Sequence, residues 1–314
     1  MCIDFLYTEV KCVNIELVFS SDMTLEIVKS LKGHSGCVLS ILKKDDVLYV
    51  RKSSAGKEYN MRLKKQLLRQ LAFKSSTVKT PKIYEYGYKD NLFYFDMEYI
   101  SSVTLAEYIS FANVNRSFSN IIEFLKLLFD NLYLKDTEQN PKANTIFCKK
   151  IRDLKSKLIN QNENFKLAFY VLENFDWSNI DKSPCHGDLT LENILIDKNK
   201  QLYLIDFLDS FYYSWMIDIA KLLQDLDLNW SYRNITLDRD TKTRIQYAKE
   251  LLIDEIKKLP NGQEKLKSIY HILLLNIIRI YPYSKDKLTI NYLDEKVKYL
   301  VKLIREERIG ETII

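Results

Sequence analysis

Two spacings of apolar residues divide this chain. In the first third, short apolar runs are separated by polar turns. Residues 25–31, 37–42 and 47–52 read as three strands, joined by Lys32-Gly33-His34-Ser35-Gly36 and by Lys44-Asp45-Asp46. From Gly56 to Phe73 the spacing turns helical and sets Leu63, Leu67, Leu68 and Leu71 on one side. Residues 81–88 and 92–100 read as two more strands around Lys89-Asp90-Asn91. Beyond Leu105 the pattern is mainly helical, over 105–111, 119–133 and 146–175, then 240–259, 262–281 and 290–307. One β-prone pair interrupts it: 194–196 and 202–205 flank the turn Lys198-Asn199-Lys200 and read as a hairpin. The pattern predicts an α+β chain with a strand-rich unit over 1–97 and a helical unit over 98–314, joined at about 97–104. Residues 1–22 are assigned no element.

Composition narrows the class. With 46% hydrophobic and 28% charged residues over 314 positions, the chain has ample material for a sizeable core. Lys plus Arg exceeds Asp plus Glu by only 47 to 42, so no nucleic-acid partner is expected. The greasiest run, 269–280, is broken by His271, Asn276 and Arg279 and is too short to span a bilayer, so no membrane partner is expected either. The N-terminus shows no signal peptide, and five scattered cysteines suit a reducing compartment, so a cytoplasmic protein is expected. Three distant histidines build no zinc site.

The candidate chemistry sits around the hairpin. Asp188 and Asn193 have four residues between them, and Asp206 follows the second strand. A hairpin brings its ends together, so Asn193 and Asp206 should meet at one mouth, with Asp188 on the loop before. Two such oxygen donors can hold a hard cation. A further carboxylate can take a proton from an incoming hydroxyl.

The stretch His186-Gly187-Asp188-x-x-x-x-Asn193, followed by Ile205-Asp206-Phe207, resembles the aminoglycoside phosphotransferase and choline kinase superfamily. The resemblance implies a bilobal protein-kinase-like fold: a small antiparallel sheet plus one helix, and a larger, mainly helical lobe. It implies Asp188 as catalytic base, Asn193 and Asp206 as Mg2+ ligands, and ATP or GTP as phosphoryl donor. It places Lys52 on the phosphates together with the turn Gly33-His34-Ser35-Gly36. The nucleotide base would take the Glu98 carbonyl and the Ile100 N–H, with Met97 lining its pocket. The acceptor it implies is a small-molecule alcohol such as a sugar, amino sugar or aminoglycoside. A choline or ethanolamine kinase and a nucleotide-binding pseudokinase are the alternatives.

The chain also departs from that pattern. The helix after Lys52 has Glu58 as its only acid, very near its start, while Gln66 and Gln70 stand nearer the usual position of a lysine-binding Glu. Thr190 stands where protein kinases carry Lys, and Leu208-Asp209 follows Phe207. Asp218, at a helix start, is assigned to bracing the catalytic loop. Asp209, Asp225 and Asp227 are candidates to meet a cationic substrate. Trp215, Trp230, Tyr212, Tyr213 and Tyr232 are candidates to stack on one, although most are expected to fill core. Lys149-Lys150-Ile151-Arg152 reads as a solvated helix face.

Overall fold

The computed structural model describes residues 26–32, 37–44, 46–111, 114–132, 138–158 and 163–310. Residues 1–22 and the turn Gly33-His34-Ser35-Gly36 lie outside the described residues. The fold is α+β, a small antiparallel sheet followed by a mostly helical remainder.

Strands β1 (Glu26–Lys32), β2 (Cys37–Lys44), β3 (Val47–Ser54), β4 (Ile83–Lys89) and β5 (Leu92–Glu98) form one sheet in the order β1-β2-β3-β5-β4. In it Lys52 lies opposite Leu39 and Phe95, and Arg51 opposite Ser40 and Asp96. Side chains alternate between faces along a strand. Lys52 is therefore buried on one face, while Arg51 on the other makes a two-pronged pair with Asp96 at 2.7 Å for each contact.

Helix α1 (Asn60–Ala72) covers the sheet with Leu63, Gln66, Leu67 and Gln70 buried. Leu68 and Leu71, expected on the same side, are exposed. The reason is the short contact stripe. One helical face over three turns holds positions 63, 66, 67 and 70, so two glutamines go inside. Cys37, Leu63, Leu67, Phe93, Phe95 and Met97 form a core separate from that of the rest of the molecule.

After β5 the chain enters β6 (Ser102–Thr104), helices α2 (Leu105–Phe111) and α3 (Val114–Leu132), and β7 (Glu138–Gln139). Helices α4 (Ala143–Lys155) and α5 (Glu163–Glu173) then occupy what the sequence pattern suggested was one long helix over 146–175. Their buried stripes, led by Phe147 and Phe169, belong to two helices in contact rather than one rod. Next come β8 (Asp181–Lys182), β9 (Ile194–Asp197) and β10 (Leu202–Leu204). β6 joins the hairpin in a second sheet of order β10-β9-β6.

Helices α6 (Trp215–Leu226), α7 (Arg239–Lys257), α8 (Gly262–Ile280) and α9 (Lys287–Arg305) complete the larger core. α8 is buried on every side from Ser268 to Ile278, which accounts for the apolar run noted in the sequence. No helix among the described residues is long and apolar enough to cross a membrane. The two cores touch through few groups. Lys79 bridges to β10 by Lys79 N–H to Leu202 carbonyl at 2.9 Å and Leu204 N–H to Lys79 carbonyl at 2.8 Å. Phe73 meets Phe207 with ring centroids 5.4 Å apart.

Candidate active site

The β9–β10 hairpin sets the geometry. Its tight turn is held by the Asp197 carboxylate, which accepts the N–H groups of Asn199 and Gln201 at 2.8 Å each. At the open end the Ile205 N–H donates to the Asn193 carbonyl at 3.1 Å, so Asn193 and Asp206 stand at one mouth. Asp206 has a left-handed backbone, φ +64°, a conformation Asp tolerates better than most residues.

The loop before the hairpin is held from beneath. Asp218 accepts the His186 N–H at 2.5 Å and the Gly187 N–H at 2.7 Å. Seven residues along the same helix face, Asp225 accepts the Leu191 N–H at 2.6 Å and both the N–H and hydroxyl of Ser231 at 2.9 and 2.7 Å. Both aspartates are wholly buried. Burial pushes Asp218 up to about 7 and Asp225 up to about 6, against the opposing pull of those N–H donors. Gly187 has φ +90°, and a Cβ there would come within 2.2 Å of the Leu208 carbonyl oxygen, so no other residue fits. The backbone of 208 crosses directly over the loop, and the Leu208 N–H donates to the His186 carbonyl at 3.0 Å.

His186 is a neutral strut. Burial pushes its ring down to about 4. Its Nδ1 accepts the Asp188 N–H at 3.3 Å, which puts the ring proton on Nε2, 2.8 Å from the Ile205 carbonyl. Asp188 then points at a lysine: Lys221 Nζ lies 3.0 Å from its Oδ1. Burial alone would raise the Asp188 pKa. Lys221 outweighs it by charge and hydrogen bond, helped by His186 and Arg279, so the carboxyl is held below its usual range. Asn193 Nδ2 donates to the Asp188 carbonyl at 2.8 Å, leaving its Oδ1 without a partner among the described residues.

Lys52 crosses from the small sheet to meet Asp206 in an ion pair. Neither glutamine of α1 touches it. The Gln70 amide donates to the Pro81 carbonyl at 2.9 Å, and both polar atoms of Gln66 are buried without a partner. α1 instead reaches the other lobe with Arg69, which donates to the Cys185 carbonyl, and with Lys65, 3.0 Å from Asp209. Burial pushes the Cys185 thiol up to about 12, which suits a packing residue and not a nucleophile.

The remaining sequence-derived candidates separate cleanly. Met97 is buried in the small core. The Glu98 N–H donates to the Lys82 carbonyl at 2.8 Å, and Ile100 follows the end of β5. Asp225 and Asp227 are not available to a substrate. Asp227 is buried among Tyr270 at 2.8 Å, Lys249 at 3.2 Å and Tyr299 at 3.2 Å. Trp215, Tyr212 and Tyr232 are core, whereas Tyr213 is exposed and Trp230 packs on Tyr292. Sequence reasoning passed over Lys221. It lies one turn from Asp218, on the face turned to the loop, and is the only α6 residue not fully buried, a spacing that could have singled it out.

The family model described as "Phosphotransferase enzyme family" matches residues 40–252, more than half of the chain. The chain belongs to the phosphotransferase enzyme family. Its fold is the protein-kinase-like fold of small-molecule kinases. An apo structure of a thermostable mutant of aminoglycoside phosphotransferase APH(4)-Ia is similar at a TM-score of 0.58 and 13% identity, over 89% of this chain and 95% of that one. A putative fructosamine-3-kinase from Haemophilus somnus 129PT is similar at 0.53 and 13%, over 89% and 92%. Choline kinase LicA from Streptococcus pneumoniae is similar at 0.50 and 15%, over 89% and 94%. At these identities the structural likeness speaks to fold alone. No curated protein matches the chain.

Proposed function

We propose that this phosphotransferase moves the terminal phosphoryl group of ATP or GTP to a hydroxyl of a small molecule, with Asp188 as the base. The observation that carries the reading is the meeting of Lys52 with Asp206 across the two lobes, one hairpin away from Asp188 and Asn193. A solved complex of the APH(4)-Ia mutant with AMP-PNP and hygromycin B supports a nucleotide donor and a small-molecule acceptor for this fold.

Asp188 is ionised at neutral pH, since its carboxyl is held below the ordinary range. It orients the acceptor hydroxyl and takes its proton as the oxygen attacks the terminal phosphorus and the bond to the departing nucleoside diphosphate breaks. The unpartnered Oδ1 of Asn193 and the half-exposed Asp206 carboxylate are hard oxygen donors, which fits Mg2+ completed by phosphate oxygens. Bound there, Mg2+ neutralises phosphate charge. Lys52 turns from Asp206 to the phosphates, and the turn Gly33-His34-Ser35-Gly36 offers them N–H donors. Met97, Glu98 and Ile100 receive the nucleotide base.

The missing acid on α1 favours a nucleotide-binding module as the second reading. One measurement separates the two: Mg2+-dependent release of ADP or GDP with a panel of alcohols, in wild type and Asp188→Ala. Turnover that vanishes in the variant supports the enzyme. A panel with no Asp188-dependent turnover, alongside intact nucleotide binding, leaves the module.

A further inference from the structure

A cavity of about 250 Å³ opens beside the base on the large-lobe side. Lys221 lines it and is the residue that contacts Asp188, so the cavity and the reacting carboxylate share a wall. The remaining wall comes from α4 and α8 and the turn after it, with no residue from the small sheet. Its charge is one-sided: Lys150, Lys157, Lys221 and Arg279 face a single acid, Asp153, which is exposed.

Three of these four cations have no carboxylate partner among the described residues. Lys221 is committed to Asp188. Arg279 donates to Asn276 Oδ1 at 3.2 Å and stacks over the Phe211 ring at 5.0 Å, and Lys150 approaches the same ring at 5.7 Å. None of Lys150, Lys157 and Arg279 has a carboxylate within salt-bridge distance among the described residues. Burial pushes both Lys150 and Arg279 below their ordinary pKa; repulsion from Arg279 and Lys157 adds to it at Lys150, whereas Asp188 pulls Arg279 partly back up. A second, independent sign is Asn276. It is 2% exposed, its Oδ1 is taken by Arg279, and its Nδ2 is a buried donor with no acceptor. An unmade buried hydrogen bond is costly, and a ligand oxygen in this cavity removes the cost.

We propose that the acceptor is an anionic alcohol: a small hydroxylated molecule carrying a phosphate or carboxylate held by Lys150, Arg279 and the Asn276 amide while its hydroxyl faces Asp188. This rests on the phosphoryl-transfer reading above and narrows its acceptor class. Arg279 provides the planar fork that pairs with such groups. The same charges reject amino sugars, aminoglycosides and quaternary amines, whose cations would meet the like charges of Lys150, Lys157 and Arg279. The volume lies below that of drug-sized sites, which favours an acceptor of about one sugar ring over an oligosaccharide.

The test is a matched panel read by nucleoside diphosphate release with Mg2+ and ATP or GTP: glycerol, glycerol phosphate and glycerate; a hexose, its phosphate and its acid; and an amino sugar. Comparing the phosphate and acid members distinguishes the two anionic groups. Lys150→Gln and, separately, Arg279→Gln should raise the KM for the anionic acceptor about tenfold to a hundredfold with a smaller effect on kcat. The exposed neighbour Lys149→Gln should leave it unchanged. As a check independent of turnover, wild type saturated with a non-hydrolysable ATP analogue should bind inorganic phosphate or sulfate by calorimetry, and Lys150→Gln should weaken this. Preferred turnover of the neutral or cationic members overturns the proposal but keeps the phosphotransferase. Anion binding that is absent or indifferent to Lys150 also overturns it. Loss of Asp188 dependence with anion binding intact strikes the catalytic reading instead.

Discussion

The two halves of the site are held in opposite ways. On the large-lobe side, Asp218 and Asp225 grip the loop of 186–191 by its backbone N–H groups, and His186 braces it from above. On the small-lobe side, Lys52 of β3 gets no carboxylate from α1. Gln66 of α1 is buried and unpaired, and Asp206 of the opposite lobe is the charged partner of Lys52 among the described residues. One half is therefore preorganised before any ligand arrives, and the other is positioned by the meeting of lobes. Preorganised groups cost no rearrangement at the moment of reaction, whereas in the proposed mechanism Lys52 must first be released from Asp206.

That contrast can be tested from its strongest consequence to its weakest. Asp188→Ala should lower turnover by roughly 10²–10⁴-fold, the usual worth of a general base, while nucleotide affinity by calorimetry stays near wild type. A retained rate would remove Asp188 from the reaction. Asp218→Ala leaves two buried N–H groups without acceptors, so chemical denaturation should show a loss of about 2–4 kcal/mol together with a fall in kcat. An unchanged stability would mean that the loop needs no grip from below.

Lys221→Met tests the charge on the base. In the proposed mechanism Asp188 works ionised, and Lys221 depresses its pKa, so the wild-type acid limb of kcat/KM should lie below the ordinary carboxylate range. Without the cation the Asp188 pKa rises, and that limb should move to higher pH. A limb that stays in place would assign it to another group. Gln66→Leu exchanges an unpaired buried amide for an apolar group of similar size and should raise stability by about 1 kcal/mol. A loss would imply that the amide has a partner when nucleotide is bound. Lys65→Ala removes an exposed pair with Asp209 and should change stability by under about 1 kcal/mol.

Much of this was legible in the chain. The hairpin pattern placed Asn193 and Asp206 at one mouth because strand register leaves little freedom there, and strand alternation separated Arg51 from Lys52. Asp218 was readable through the resemblance, which has an Asp at a helix start after the metal loop. What escaped had no local signature. Asp225 and Asp227 look like surface acids in the sequence, and only tertiary packing surrounds them with N–H and hydroxyl donors. The solvated face assigned to 149–152 held for Lys149 and Arg152, but Lys150 turns inward to a wall supplied by α8, more than a hundred residues later. Leu68 and Leu71 misled because a short helix on a small sheet can bury only one narrow stripe, and the amide groups happened to stand on it.

The crossing of Leu208 over Gly187 has an evolutionary corollary. Gly187, next to Asp188, and Leu208, two residues past Asp206, are locked backbone to backbone, with no space for even one added methyl. Neither can be adjusted to suit a new acceptor without dislodging the other. On the reading proposed above, a change of acceptor is therefore left to side chains of α4 and α8, which can be exchanged one at a time while the loop and hairpin stay untouched.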